Sequence, residues 1–561
     1  MSFKRTIWIG LLLLTMISLV LAGCARATEE PVAPPPEDTE PAPPPTEAPP
    51  AEPKIITIAW TQEPDTLNQA YSAMWYSWAT TAVWHCWPWQ YDENNEPYPH
   101  MLTEMPTVSA DGLVITMNLR DDITWSDGTP ITADDFVFTH EMIINPANAV
   151  DSTYPYDYFE ISAPDAQTVV MTFEEPFTPW MSNLWQGVLK PKHVLQPVFD
   201  SEGTLDEAEW NLAPTVSCGP FVFDEWESGS FIRFVKNENY WGGEPKLDAV
   251  VFQFVPDDAA QTAAALAGDV DIAFWPPYED IPAFRDAGLN IVTQASGYNE
   301  GWYFNMREMA SPGVKDLVVR KAIAMSLDRA SNTAIRLGVV KPVKTFFDAI
   351  PAFVDPTLEP WPYDPEAAKQ LLEDAGYVDS DGDGIREDLD GNPLTLTQGN
   401  TTKEERLNYQ AVAQQQLLEV GIDLQILSYD ADILFGSFSD AGPAAIGDLD
   451  IMQWSDAPAF PDPDTDYWLC SEMPSEEYPW GYNYFFCDET LDALFKKQLV
   501  TVDADERAAV FHEISRYMHE NVYWLGIWED PDVWIVNPRL SGYLFSGVTP
   551  FFNIMDWDVV E

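Results

Sequence analysis

Positive charge is scarce in this chain. Across 561 residues, 28 Lys and Arg stand against 91 Asp and Glu, a formal net charge of −63. Such a chain repels a phosphate backbone, so no nucleic acid is expected as a partner. The acidic excess reads as a solvated shell that keeps an exported protein soluble. Histidine is sparse as well, at 6 residues. Neither His140-Glu141 nor His512-Glu513 is followed by the second His that a zinc-protease helix needs. His512 and His519 sit two turns apart on one helix and make only a pair. The sequence has no G-x-S-x-G nucleophile elbow and no Gly-rich loop ending in Gly-Lys-Ser/Thr. With so many acids, carboxylate pairs say nothing about glycosidase chemistry. Nothing selects a reaction, and the chain is not expected to be an enzyme.

Long apolar runs are missing except at the start. Lys4 and Arg5 precede a run from Ile7 to Leu21, followed by Ala22-Gly23-Cys24. A basic head, a short apolar core and small residues before a cut read as a secretory signal over 1–23. The run falls short of the ~20 residues that a membrane span needs. Leu21-Ala22-Gly23-Cys24 also resembles the bacterial lipobox, which implies lipid on Cys24 and anchorage at the outer face of the cell membrane. Residues 24–53 consist almost wholly of Pro, Glu, Ala and Thr. Proline fixes φ and removes donors, so this stretch reads as an extended tether that packs no core. Folding is expected from about Lys54, in a body long enough for two or more lobes.

Cysteine is limited to Cys24 and four others. In an exported chain an even number suggests disulfides, and four allow three pairings. Cys470 and Cys487 close a short loop and are the preferred pair, which leaves Cys86 with Cys218. Zinc held by thiolates is the alternative, against which the wide spacing speaks.

Strands and helices alternate along the body, which places it in the α/β class with several mixed sheets. Ile55 to Trp60 and Leu113 to Leu119 read as strands. Thr132 reads as an N-cap, with Asp134 and Asp135 in the first helical turn and Ile131 and Phe136 at staple spacing. Ser228-Gly229 marks a hairpin. The stretch 314–338 reads as one helix, DPEAAKQLLEDAGY as another, and two late helices follow 488 and 503.

Several stretches in order resemble the extracellular solute-binding proteins, family 5, of bacterial peptide-type ABC importers. They are Leu119-Arg120 through WSDGTPITADDFVF, Gly219-Pro220-Phe221, Asn239-Tyr240-Trp241-Gly242-Gly243, Phe304-Asn305, Val319-Arg320-Lys321-Ala322-Ile323 with Leu327-Asp328-Arg329, Asp364-Pro365-Glu366-Ala367-Ala368, and Leu491-Asp492-Ala493-Leu494. The resemblance implies a periplasmic-binding-protein-like type II fold. Lobe I, enlarged by an inserted subdomain, would span 54–295 and recover 539–561, and lobe II would span 296–538. Ligand would be enclosed between the lobes as they close about a hinge. A permease with its ATPases would then read the closed form. The protein is expected to be a monomer, with no cofactor required.

Within the family, peptide binders hold the ligand amine on an Asp shortly before an acidic-Pro pair. Counting back from Asp462-Pro463 reaches Ala459, which cannot pair with an ammonium. Counting forward from Trp454 reaches Asp456, which we take as the anchor. Aromatic residues of a cleft could stack on sugar rings or on apolar side chains. The candidate ligand-binding residues are therefore Trp454, Asp456, Asp462, Trp302, Asn305 and Trp84. A di- or oligopeptide is the favoured solute and an oligosaccharide the alternative. A secreted hydrolase is the competing class, and it lacks a nucleophile or metal constellation.

The stretch DSDGDGIREDLD, residues 379–390, has nearly the spacing of a calcium loop. Asp379, Asp381 and Asp383, the Ile385 carbonyl, Glu387 and Asp390 would be its ligands. It lies between a helix and a strand-like segment, whereas a paired EF-hand needs a second helix. A structural Ca2+ and a plain acidic turn both fit the sequence.

Overall fold

A computed structural model describes residues 52–560 apart from 335, 337, 389, 458, 466, 467 and 480. The expected signal, Cys24 and the tether up to residue 51 lie outside the described residues.

Ile55–Trp60 alternates little because both faces of its sheet are covered, Ala59 packing into one apolar core and Ile56, Ile58 and Trp60 into another. It runs in the middle of a seven-stranded mixed sheet, parallel to Ala249–Phe254 on one side and to Ile272–Phe274 on the other. Phe231–Lys236 and Phe221–Glu227 extend the sheet as the hairpin read from Ser228-Gly229, with Gly229 at φ +76° where a side chain would be strained. Asp532–Val536 and Asn290–Gln294 complete the far edge, both in antiparallel pairing. Between the first strand and this hairpin lies a four-stranded antiparallel sheet, Thr107–Val108, Val114–Asn118, Phe159–Ser162 and Thr168–Phe173. The helix Ala133–Ile144 falls between its second and third strands in sequence and packs against Phe159–Ser162 and Thr168–Phe173, and the Thr132 N–H donates to the Asp135 carboxylate at 2.9 Å, closing the expected cap.

A second mixed sheet carries five strands in the order Asp423–Tyr429, Thr395–Thr401, Ile451–Asp456, Asn299–Phe304 and Trp524–Glu529. The chain passes between the two large sheets twice. Residues 295–298 lead from Asn290–Gln294 to Asn299–Phe304, and 530–531 lead back from Trp524–Glu529 to Asp532–Val536.

One element differs from its sequence reading. The helix expected over 314–338 is three short ones, Pro312–Lys315, Leu317–Ser326 and Arg329–Ala334. Asp316 is extended and its carboxylate accepts the Val318 N–H at 2.9 Å, so it begins a new helix instead of continuing the old one. Cys86 is bonded to Cys218 and Cys470 to Cys487, so none of these four sulfurs remains as a thiolate for zinc.

Candidate functional site

The two crossings of the chain frame a cavity of about 460 Å³. Trp75, Trp275 and Tyr278 line it from the side of the seven-stranded sheet; Glu300, Arg406 and Trp528 line it from the side of the five-stranded sheet. Tyr298 and Asp530, one on each crossing, also line it. An adjoining cavity of about 250 Å³ shares Met74, Trp75 and Tyr298 and runs on past Trp78, Ala457 and Phe460.

The aromatic wall is held from behind. Trp75 opens the helix Trp75–Trp84 and lies flat on Phe274, with ring centroids 4.3 Å apart and planes 10° apart. Trp275 adopts φ +49°, an uncommon backbone setting for a bulky residue, and its N–H donates to the Val533 carbonyl at 2.9 Å. Its ring meets Tyr298 edge-on at 6.0 Å. On the facing side the Arg336 guanidinium lies 3.6 Å from the Trp528 ring centroid and backs that ring.

The polar wall is an ion pair set deep in the second sheet. Arg406, in the helix Glu404–Glu419, donates from Nε to Glu300 Oε1 at 2.8 Å and from Nη2 to Oε2 at 3.0 Å. Glu300 is 2% exposed, and the fork matches its two oxygens. Burial disfavours the Arg406 charge, but Glu300 outweighs it and holds the guanidinium above its usual range. Behind the pair runs a hydrogen-bonded chain. Trp302 Nε1 donates to Gln453 Oε1 at 2.9 Å, and Gln453 Nε2 donates to Glu300 Oε1 at 2.9 Å. Gly301 follows Glu300 because a β-carbon there would meet the Trp524 ring at 2.2 Å. A bulge at Glu300/Gly301 accommodates this close approach.

Two carboxylates mark the second crossing. Asp530 accepts the Tyr278 hydroxyl at 2.7 Å. Asp532 is 1% exposed, and burial, with the Asp530 charge adding to it, pushes its carboxyl up to about 8; Ser296 and Trp275 offset part of this.

The residues singled out from sequence fall around this cavity and not on it. Trp84 is fully buried and packs on Trp210 and Phe234 in the core of the first sheet. Trp302 is also buried and supports Glu300 through Gln453 without lining the cavity. Asn305 is spent on the backbone, donating to the Gly447 and Leu449 carbonyls at 3.1 and 2.7 Å. Asp462 pairs with Arg507; burial raises its carboxyl, and the guanidinium offsets the rise. Trp454 stacks on Tyr303 at 4.3 Å, within a cluster that includes Phe485. Asp456 stands two residues on, in register with Asn299, and its Oδ1 accepts the Ala457 N–H at 2.9 Å. Strand alternation turns Ser455, between them, toward the cavity.

Sequence reading missed Trp275, Tyr278, Tyr298, Arg406, Trp528 and Asp530. Glu300 was missed as well; Trp75 and Trp78, at helical spacing in an aromatic-rich stretch, carried the readable signal, and the structure shows both half-buried in a helix whose other aromatics are buried.

In the calcium-like loop, the carboxylates of Asp379, Asp381, Asp383 and Glu387 offer oxygens that all lie within 4.8 Å of one another. Asp379 accepts the Gly382 and Gly384 N–H groups at 2.7 and 3.1 Å. Asp390 is not among the four; its N–H donates to Asp388 at 2.9 Å. The loop joins the helix Pro365–Asp374 to the strand Thr395–Thr401, so it is no EF-hand.

Two mixed α/β sheets joined by two crossings, with a polar and aromatic cavity at the crossings, define a solute-binding receptor. The chain belongs to the bacterial extracellular solute-binding proteins, family 5, whose middle region matches residues 96–475. It is 27% identical over 467 residues to the oligopeptide-binding protein AppA of Bacillus subtilis, covering 80% of this chain and 81% of that one. It is 26% identical over 478 residues to di/tripeptide-binding protein 2 of Pseudomonas aeruginosa, covering 79% and 84%. Among solved structures, NikZ of Campylobacter jejuni in complex with Ni(L-His) superposes with a TM-score of 0.74 at 22% identity, covering 90% of this chain and 99% of that one. No helix among the described residues is long and apolar enough to cross a membrane.

Proposed function

We propose that this protein captures a di- or oligopeptide outside the cell and delivers it to the permease of an ABC importer. The observation that carries this reading is the cavity between the two large sheets, walled by aromatic faces and by the Glu300–Arg406 pair. Similarity to an oligopeptide-binding and a di/tripeptide-binding protein favours a peptide over an oligosaccharide. The protein acts as a monomeric receptor and performs no chemistry. Residues 1–23 direct export, Cys24 carries the lipid, and 24–53 hold the body off the membrane. We divide the lobes at the crossings, 295–298 and 530–531, because Asp532–Val536 pairs within the seven-stranded sheet. This moves the second boundary back from 538. For Asp456, a place beside the cavity wall at the end of its strand keeps it as a candidate contact for a ligand amine.

A thermal-shift screen against peptide and oligosaccharide pools tests this reading. A ligand that binds only the folded state raises the midpoint, by about 2.7 kcal/mol of stability at a hundredfold excess over Kd. Peptide pools are expected to do so. A rise with oligosaccharides alone would transfer the reading to a sugar receptor.

A further inference from the structure

The charge of the cavity wall narrows the solute, given that the protein is a peptide receptor. Four carboxylates line the cavity, those of Asp258, Glu300, Glu405 and Asp530, against two cations, Lys403 and Arg406. Arg406 is committed to Glu300 at two points. Among the described residues none of Asp258, Glu405 and Asp530 forms a salt bridge. Three carboxylates therefore face one lysine, and Lys403 is solvent-exposed. Arg336 stands behind Trp528 and donates to the Glu405 main-chain carbonyl at 3.3 Å, where its charge offsets part of that of Glu405. Asp530 is the best placed of the three: it is half-buried, oriented by the Tyr278 hydroxyl at 2.7 Å, and sits on the crossing opposite Tyr298. Trp75, Trp275 and Tyr298 present aromatic surface to the same space. Aromatic faces beside a partly desolvated carboxylate attract an organic cation through the ring quadrupole and the charge together. An anionic group would meet the uncompensated carboxylates and be disfavoured.

We propose that this cavity selects a solute carrying a cationic side chain, a guanidinium or an alkylammonium, held at Asp530 between the aromatic faces. Asp258 and Glu405 supply the surrounding negative field.

Calorimetric titration with Ala-Arg-Ala, Ala-Ala-Ala, Ala-Glu-Ala, N-acetyl-Ala-Arg-Ala and agmatine tests this on the purified protein. Ala-Arg-Ala is expected to bind at least about tenfold tighter than Ala-Ala-Ala, equivalent to about 1.4 kcal/mol, and Ala-Glu-Ala weakest of the three. Asp530→Asn and, separately, Asp258→Asn are expected to shrink the arginine-to-alanine ratio, with each fold verified by its thermal midpoint. Equal affinity for the three free tripeptides overturns the inference and leaves peptide capture standing. Loss of binding on acetylation assigns the cation to the amino terminus and also overturns it. Binding of agmatine but of no peptide supports the cation site and overturns peptide capture. Binding of none of the probes overturns both.

Discussion

Arg406 grips Glu300 with both arms of its guanidinium, at 2.8 and 3.0 Å, and only 2% of the Glu300 side chain is exposed. Gln453 and, through it, Trp302 hold the same carboxylate from the far side. Removing one partner leaves the other charge buried and unpaired. Glu300→Gln and Arg406→Met are each expected to cost about 3–5 kcal/mol in urea denaturation. The double variant is expected to cost less than the sum, because neither charge remains. Single variants that lose under about 1 kcal/mol would show the pair to be solvated.

The aromatic wall predicts a spectroscopic signature. Trp75 and Trp275 line the cavity, whereas Trp84 is buried in the core. Whichever peptide raises the thermal midpoint is expected to change the tryptophan emission. Trp275→Phe should remove much of that change and weaken binding severalfold, whereas Trp84→Phe should leave affinity within a factor of two. The opposite order would place the ligand elsewhere.

Asp532 ties stability to pH. Folded, its carboxyl is pushed up to about 8 by burial; unfolded, it titrates near 4. Between these values the folded state holds a proton that the unfolded state has lost. The contribution of Asp532 to stability is therefore full below about pH 4, falls as pH rises, and is lost above about pH 8. Asp532→Asn should flatten this part of the profile and be the more stable form at pH 8, by an order of a few kcal/mol. Parallel profiles for the two proteins would refute the assignment.

The acidic loop brings four carboxylates within 4.8 Å of one another. Calorimetric titration of chelator-treated protein with Ca2+ is expected to show binding at or below millimolar concentration, and Asp381→Asn to weaken it about tenfold or more. Asp390→Asn should have little effect, because Asp390 stands outside the four. An absence of heat at millimolar calcium would leave the loop an acidic turn stabilised by its own N–H contacts, such as Gly382 to Asp379 at 2.7 Å.

Much of the fold was legible wherever a local rule sufficed. The cap at Thr132, the hairpin at Ser228-Gly229 and the Pro365–Asp374 helix are set by neighbours a few residues apart, and each forms as read. The site was less legible. Trp84 and Trp302 resemble cleft residues by type, but strand and helix packing turns both into the core. Asp462 has the right neighbours in sequence, but Arg507, 45 positions on, claims its carboxylate.

By itself, then, the sequence determined the class: an acidic α/β body behind a signal-like start, with ordered motifs that point to family 5. Only the tertiary structure decided where a solute could sit. Trp75, Glu300, Arg406 and Asp530 are scattered over more than 450 residues, and none stands out by type among 91 acids, 28 basic residues and 23 tryptophans. They meet because the chain crosses between its two sheets twice, at 295–298 and 530–531, and the crossings bring their strand ends to one place. No local pattern encodes that meeting, since it depends on strand pairing between segments hundreds of residues apart.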